Sequence, residues 1–278
     1  MTPSPTHPSG RRLSLAHLTV IDAGPVELIR AAAAGGFDHV GLRIVAPTAS
    51  DRIVPVIGDE TMIRAILDAM AATGVSILDV EAIWLTPDTD PAAFTAIAET
   101  AARLGATQVL AIGHDPEPSR QVENFGRLAA TARQHGLGTM LEFIPYCVVN
   151  TLAAAEAVVD AAVVAGSGIM IDALHLRRSG GGPQDLAGIS PDRLSYIQLC
   201  DARREPPFPD DLRREARGDR LYPGDGELDI AGLLDALPAG IPLSIEAPVA
   251  GHAGLSAMER ARLCGERTRA TLEALGQR

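Results

Sequence analysis

The sequence predicts a single α/β domain, a (β/α)8 TIM barrel, on three observations. Short β-branched or apolar runs alternate with longer Ala- and Leu-rich stretches of helical period. The alternation repeats through eight units of roughly thirty residues apiece, the size of one strand with its helical crossover. The chain is 278 residues long, and about 250 is usual for one such barrel. Repeated right-handed crossovers between parallel strands close on themselves.

Each element has its own signature. LSLAHL (13–18) is the first strand, and PVELIRAAAAG follows with Pro25 in its first turn and Gly35-Gly36 at its end, the asymmetry of a helix start and stop. HVGLRI (39–44) is the second strand. A helix at 61–74 precedes the strand VSILDVEAIWL, one at 91–105 precedes TQVLAIG, and one from Ser119 to His135 precedes GTMLEFI (138–144). Thr151 to Ala165 leads into GIMIDAL, Pro183 to Leu194 into LSYIQLC, and Ile230 to Leu237 into IPLSIEAP (241–248), with a last helix from Ser256 to Leu275. An open doubly wound sheet is the rival, but His17-Leu18-Thr19 stands where a glycine-rich phosphate turn would follow the first strand.

The domain is expected to run from residue 13 to 278, with residues 1–12, MTPSPTHPSGRR, as a disordered N-terminal arm without the apolar core of a signal peptide. Two low-propensity stretches, SGGGPQ (179–184) and the charged, Pro-rich segment 204–227, follow strand C-termini, so they read as loops over the active-site face. The formal net charge of −11 argues against a nucleic-acid partner. No apolar run is long enough to span a membrane. Cys147, Cys200 and Cys264 are too few and scattered for a disulfide framework or a thiolate zinc site, and they read as buried thiols of a reduced, cytoplasmic protein.

Ionisable residues at the ends of buried strands need a reason. The fifth strand carries Glu142, the sixth Asp172 with His175 three residues on, the seventh Gln198, and the eighth Glu246. A single strand-end acid is commonly a helix cap or an Arg partner. Three acids and an amide meet on adjacent strands, and each ionised carboxylate would cost several kcal/mol if left unpaired. A divalent cation resolves the conflict, and oxygen-rich ligation favours Mg²⁺, Mn²⁺ or Co²⁺ over structural zinc. Earlier strands add His17, Arg43, Glu81 and nearby Trp84 as candidate substrate contacts; Arg43 and Glu81 could equally form a structural bridge, and Trp84 a core aromatic.

On these residues the chain resembles the xylose isomerase-like TIM barrel superfamily, the sugar phosphate isomerase/epimerase group, along residues 13–275. The resemblance implies one metal held by Glu142, Asp172, Gln198 and Glu246. Most members carry His at the third position, and Gln there leaves Mn²⁺ or Mg²⁺ favoured over Co²⁺. It further implies substrate contact by His175 and by an Arg ahead of the Pro223-Gly224-Asp225-Gly226 turn, for which Arg217 and Arg220 are the candidates. Ketose 3-epimerases have a further Glu after the fifth-strand ligand, where this chain reads FIPYCVV, which argues against a ketohexose epimerase.

The implied chemistry is isomerisation or epimerisation of a keto-sugar or keto-cyclitol, in which Glu142 and Glu246 move a proton next to a carbonyl through a metal-stabilised enediolate, aided by His175. The alternative is a lyase, a dehydratase or related C–O or C–C cleaving enzyme on a 3-keto-sugar or inosose. An apurinic endonuclease would need more His ligands and a basic groove. A metal-free carbohydrate-binding barrel is the non-enzymatic alternative. The expected partner is a small carbohydrate or cyclitol, with assembly into a homo-oligomer, dimer or tetramer.

Overall fold

Alternating outward side chains build the barrel. The computed structural model describes residues 11–47 and 51–277. Leu13 and Leu15, Val40 and Leu42, Ile197 and Leu199, and Leu243 and Ile245 are buried against the helices, so the residues between them face inward. The strands are β1 (Leu13–Leu15), β2 (His39–Arg43), β3 (Ser76–Leu85), β4 (Gln108–Gly113), β5 (Gly138–Glu142), β6 (Ser167–Asp172), β7 (Ile197–Leu199) and β8 (Leu243–Ile245). All pair in parallel in sequence order, and β8 pairs back onto β1 through Leu13↔Leu243 and Leu15↔Ile245, which closes the barrel.

The helices are α1 (Pro25–Ala34), α2 (Glu60–Thr73), α3 (Ala93–Arg103), α4 (Pro118–Gln134), α5 (Leu152–Ala162), α6 (Ala173–Arg178), α7 (Leu212–Gly218), α8 (Ile230–Asp235) and α9 (Ala257–Ala274). Most of their starts, though not those of α1 and α3, carry a side-chain cap. Asp59 accepts from the Met62 amide and Thr151 from the Ala154 amide, while Ser256 and Glu259 form a reciprocal capping box. The first and last helices meet most closely: a Cβ added at Gly265 would lie 2.1 Å from the Gly35 carbonyl oxygen, so this seam admits only glycine. No described helix is long and apolar enough to cross a membrane. All three cysteines are free and buried.

Four local expectations change. The first strand stops at Leu15, and His17–Val20 is a 3-10 turn. The sixth strand stops at Asp172, whose carboxylate accepts from the His175 amide and starts α6 two residues before the expected strand end. The helix expected from Pro183 to Leu194 is instead a pair of 3-10 turns, each opened by a proline. Conversely, the segment 204–227 contains α7, capped by Asp211. The expected arm at 1–12 lies outside the described residues up to residue 10. Arg11 within it is buried, and its Nη2 donates to the Leu234 carbonyl at 3.3 Å and to Gln277 Oε1 at 3.0 Å.

Inside the barrel the two halves differ. Leu78, Ala82, Leu110, Ile112, Met140, Met170 and Tyr196 form an apolar cluster separate from the outer core. The pairing of β2 with β3 skips Leu78, a bulge that turns both Leu78 and Asp79 inward.

Candidate active site

The mouth of the barrel gathers the polar ends of five strands. One pocket is lined by Arg43, Glu81, Trp84, Glu142, His175, Arg217, Arg220 and Glu246, together with Tyr146 and apolar residues of β4. Asp172 and Gln198 are fully buried beneath it and do not line it. A larger cleft beside Gly180–Gly182 is bordered by Arg177, Arg204, Glu227 and Asp229, all exposed, and holds none of the buried ionisable groups.

Arg220 organises the floor of the pocket. Its guanidinium is 1% exposed; Nη1 donates to Asp172 Oδ2 at 2.6 Å and to the Glu246 carbonyl at 3.1 Å, and Nη2 reaches Glu246 Oε2 at 2.8 Å. Nε donates to the Ala216 carbonyl at 2.8 Å, so the guanidinium is held from α7 as well. Position depends on Asp201, whose Oδ2 accepts from the amides of Gly224 and Gly226 and whose Oδ1 accepts from that of Leu228. A backbone bridge between Asp201 and Leu221 then places Arg220 over the strand ends. The segment is also held by Arg178, which makes two hydrogen bonds to Glu215 and reaches the carbonyls of Arg203 and Arg204.

Glu142, Asp172 and His175 converge so that one ligand atom from each lies within 4.8 Å of the others. His175 Nε2 is 3.8 Å from Glu142 Oε1, and its ring meets Tyr146 edge-on. Gln198 Nε2 makes long contacts of 3.5 Å to both Glu81 and Glu246, while its Oε1 is buried without a hydrogen-bond partner.

Burial sets the protonation of these groups. It raises Glu142 well above the usual carboxylate range, helped by the charges of Glu246 and Asp172, with Arg220 opposing. Burial also raises Glu246 to about 7, with Arg220 opposing and Glu81 adding. For Asp172 burial pushes upward, but Arg220 and His175 outweigh it and its pKa is lowered. His175 falls to about 4 because burial disfavours the imidazolium, so it is neutral near pH 7.

Two candidates sit differently from the strand-end reading. The His17 ring does not face the pocket: Nδ1 accepts from the Arg43 amide at 3.1 Å and Nε2 donates to the Ala23 carbonyl at 2.9 Å. Burial lowers its pKa to about 4. Arg217 lines the pocket but pairs with Asp51 at 2.6 Å. Two further residues lay outside the sequence reading. Tyr146, from the loop after β5, stands against His175. Asp79 lies inside the barrel next to Glu81, and the two-residue spacing of the acids in LDVE was the available signal.

Glu142, Asp172 and His175 could together hold a metal ion, while Arg220 already bonds Asp172 and Glu246. Five buried carboxyl groups, Asp79, Glu81, Glu142, Asp172 and Glu246, share the barrel interior with two guanidinium groups, Arg43 and Arg220. Among the described residues the Glu142 carboxyl faces His175 Nε2 at 3.8 Å, and Gln198 Oε1, a hard donor, has no hydrogen-bond partner.

A family model described as "Xylose isomerase-like TIM barrel" matches residues 29–267. Among curated proteins, a 3-dehydroshikimate dehydratase of Pseudomonas aeruginosa is 30% identical over 134 residues, which is 47% of this chain and 21% of the relative. The matched stretch is thus about a fifth of that protein's length. Among solved structures, the IolI protein with a bound zinc atom superposes with a TM-score of 0.79 at 18% identity, covering 95% of this chain and 99% of that one. A D-allulose 3-epimerase from Methylomonas sp. gives 0.69 at 17% identity, covering 96% and 99%. At these identities the structural likeness shows the fold.

Proposed function

The chain belongs to the xylose isomerase-like TIM barrel family, and on that premise we propose that it is a divalent-metal-dependent isomerase or epimerase of a keto-sugar or keto-cyclitol, removing a proton from the carbon beside a carbonyl. The carrying observation is Glu142: it opens onto the pocket, is bound by neither guanidinium, and has its pKa raised by burial beside a neutral His175. With Glu142 ionised, as metal binding would require, its carboxylate is the group on the pocket wall placed to act as general base.

Glu142, Asp172, Gln198 and Glu246 are the residues that would hold Mn²⁺ or Mg²⁺, with Co²⁺ the further candidate; when bound, the ion supplies Lewis-acid polarisation of the substrate carbonyl. The protein's own groups do the rest. Glu142 takes the proton from carbon, and Glu246, with its pKa near 7, returns or receives one on the other side of the substrate. His175 presents a neutral imidazole for hydrogen transfer at an oxygen. Arg43, Glu81, Trp84, Arg217 and Arg220 are the groups available to substrate hydroxyls. His17 acts at one remove, holding the backbone at Arg43. The proposed ligand is a small polyhydroxylated ketone, and the proposed setting is a cytoplasmic homo-oligomer.

A second reading, dehydration, draws support from the dehydratase name of the curated relatives. It shares the first step and differs in expelling a β-hydroxyl. Incubation with Mn²⁺ and a panel of keto-sugars, inososes and dehydroshikimate in D₂O separates the two. Deuterium in a recovered ketone of unchanged composition supports isomerisation, whereas a product lighter by one water supports the lyase. Glu142→Gln is expected to lower either rate by about 10²–10⁴. Full activity of that variant, or of the EDTA-treated enzyme, overturns the proposal.

A further inference from the structure

Three arginines line the pocket at the barrel mouth, Arg43, Arg217 and Arg220. Two of them are answered by acids of the chain: Arg220 by Asp172 and Glu246, and Arg217 by Asp51. Arg43 is not. It closes β2 in register with Glu81 on β3 and is only 6% exposed. The bridge to Glu81 that this register invites does not form. Glu81 Oε1 accepts instead from the His17 amide at 2.9 Å, and its Oε2 faces Gln198 Nε2 at 3.5 Å. Arg43 Nε is buried without a hydrogen-bond partner, and among the described residues its guanidinium makes neither a hydrogen bond nor an ion pair. A guanidinium cannot shed its charge by losing a proton, so burying one unpaired is costly unless a ligand brings the counter-charge. The backbone beneath it is held in place, since the Arg43 amide donates to His17 Nδ1 at 3.1 Å.

We propose that Arg43 determines the specificity of this site, and that the substrate is a hydroxy-ketone bearing a carboxylate, which the Arg43 guanidinium binds. This deepens the reading above and rests on it for the reacting end of the substrate. A guanidinium offers parallel N–H groups that match the two oxygens of a carboxylate, a fit that a hydroxyl cannot give. The charge points the same way. One unanswered positive charge suits a singly charged acid, whereas a phosphate dianion would bring a second negative charge towards Glu81, Glu142 and Glu246, the acids of the same pocket. The carboxylate at Arg43 also fixes which end of the ketone is turned towards Glu142, so recognition and reaction are set by different residues.

The test uses small probes that need neither turnover nor a divalent ion. Glycerate, glycerol and glycerol 3-phosphate are titrated into the EDTA-treated protein at equal ionic strength. Binding is read by ligand-observed NMR and by the fluorescence of Trp84, the chain's one tryptophan, which lines the pocket. Glycerate is expected to bind about tenfold more tightly than either of the others. Arg43→Met should erase that preference, and Arg43→Lys should keep part of it. Because the guanidinium has no partner to lose, Arg43→Met is also expected to leave Tm unchanged or higher. Glycerate binding no tighter than glycerol, tighter binding of the phosphate, a preference that survives in Arg43→Met, or a fall of several degrees in that variant's Tm overturns the proposal. Isomerisation of the keto-sugar panel is measured separately, so loss of that reaction with the glycerate preference intact would strike the metal-dependent reading alone.

Discussion

Arg220 bonds two carboxylates that would otherwise be buried without a counter-charge, so its loss should cost more than a surface ion pair does. Arg220→Ala is expected to destabilise the metal-free protein by roughly 3–5 kcal/mol, because an uncompensated buried charge remains. Urea denaturation in EDTA measures this, and a loss below about 1 kcal/mol, the value of an exposed pair, would contradict the clamp. His17 makes a pH prediction. Its folded pKa of about 4 lies below the ordinary 6.5 of a free imidazole, so below pH 6.5 the unfolded chain takes up a proton that the folded one refuses. Stability should fall as pH drops from 6.5 towards 4 and be indifferent to this group above that window. Titration of the ring by ¹⁵N NMR should find the Nε2–H form throughout the neutral range; a midpoint near 6.5 would contradict the burial. Glu142, Asp172, Gln198 and Glu246 were legible because polar residues at apolar strand ends stand out. The bond from Arg220 to the acids was not legible, because a loop residue's partner is chosen by tertiary folding. Asp79 was hidden by the bulge.

At the scale of elements, alternation of short apolar runs with helical periods locates all eight strands, since outward faces must meet the helices. The stretch 204–227 resisted that reading. Its α7 is short, and its order comes from Asp201, Arg178 and Glu215, contacts made across the sequence. Asp201→Ala removes the acceptor for three turn amides and should free the segment that positions Arg220. Limited trypsin digestion is expected to cut at Arg203, Arg204, Arg213 or Arg214 faster in this variant; an unchanged digestion rate would show that other contacts suffice. Ser256→Ala tests a simpler element, the start of α9. Loss of its capping box should cost about 1 kcal/mol, read by chemical denaturation with an unchanged m-value.

Closure makes the whole molecule depend on the contact between its first and last helices. Gly265→Ala drives a methyl group into the Gly35 carbonyl and must push α9 outward. Overpacking of this kind costs about 1–3 kcal/mol, and calorimetry should show a lower Tm in one transition, because β1 and β8 share the same seam. Two separated transitions would mean that the barrel's halves unfold independently. The barrel as such follows from eight repeats, but the place where it shuts is set by two glycines whose importance only their proximity reveals. That closure also places Arg11 beside Gln277, where their side chains share a hydrogen bond. Both lie at the end of the barrel from which the strands begin, opposite the mouth. A peptide tether attached at either residue therefore departs from the rear, and the barrel is a portable module: it is expected to tolerate fusion there, or circular permutation across a short linker joining the two, with the entrance to its pocket left clear.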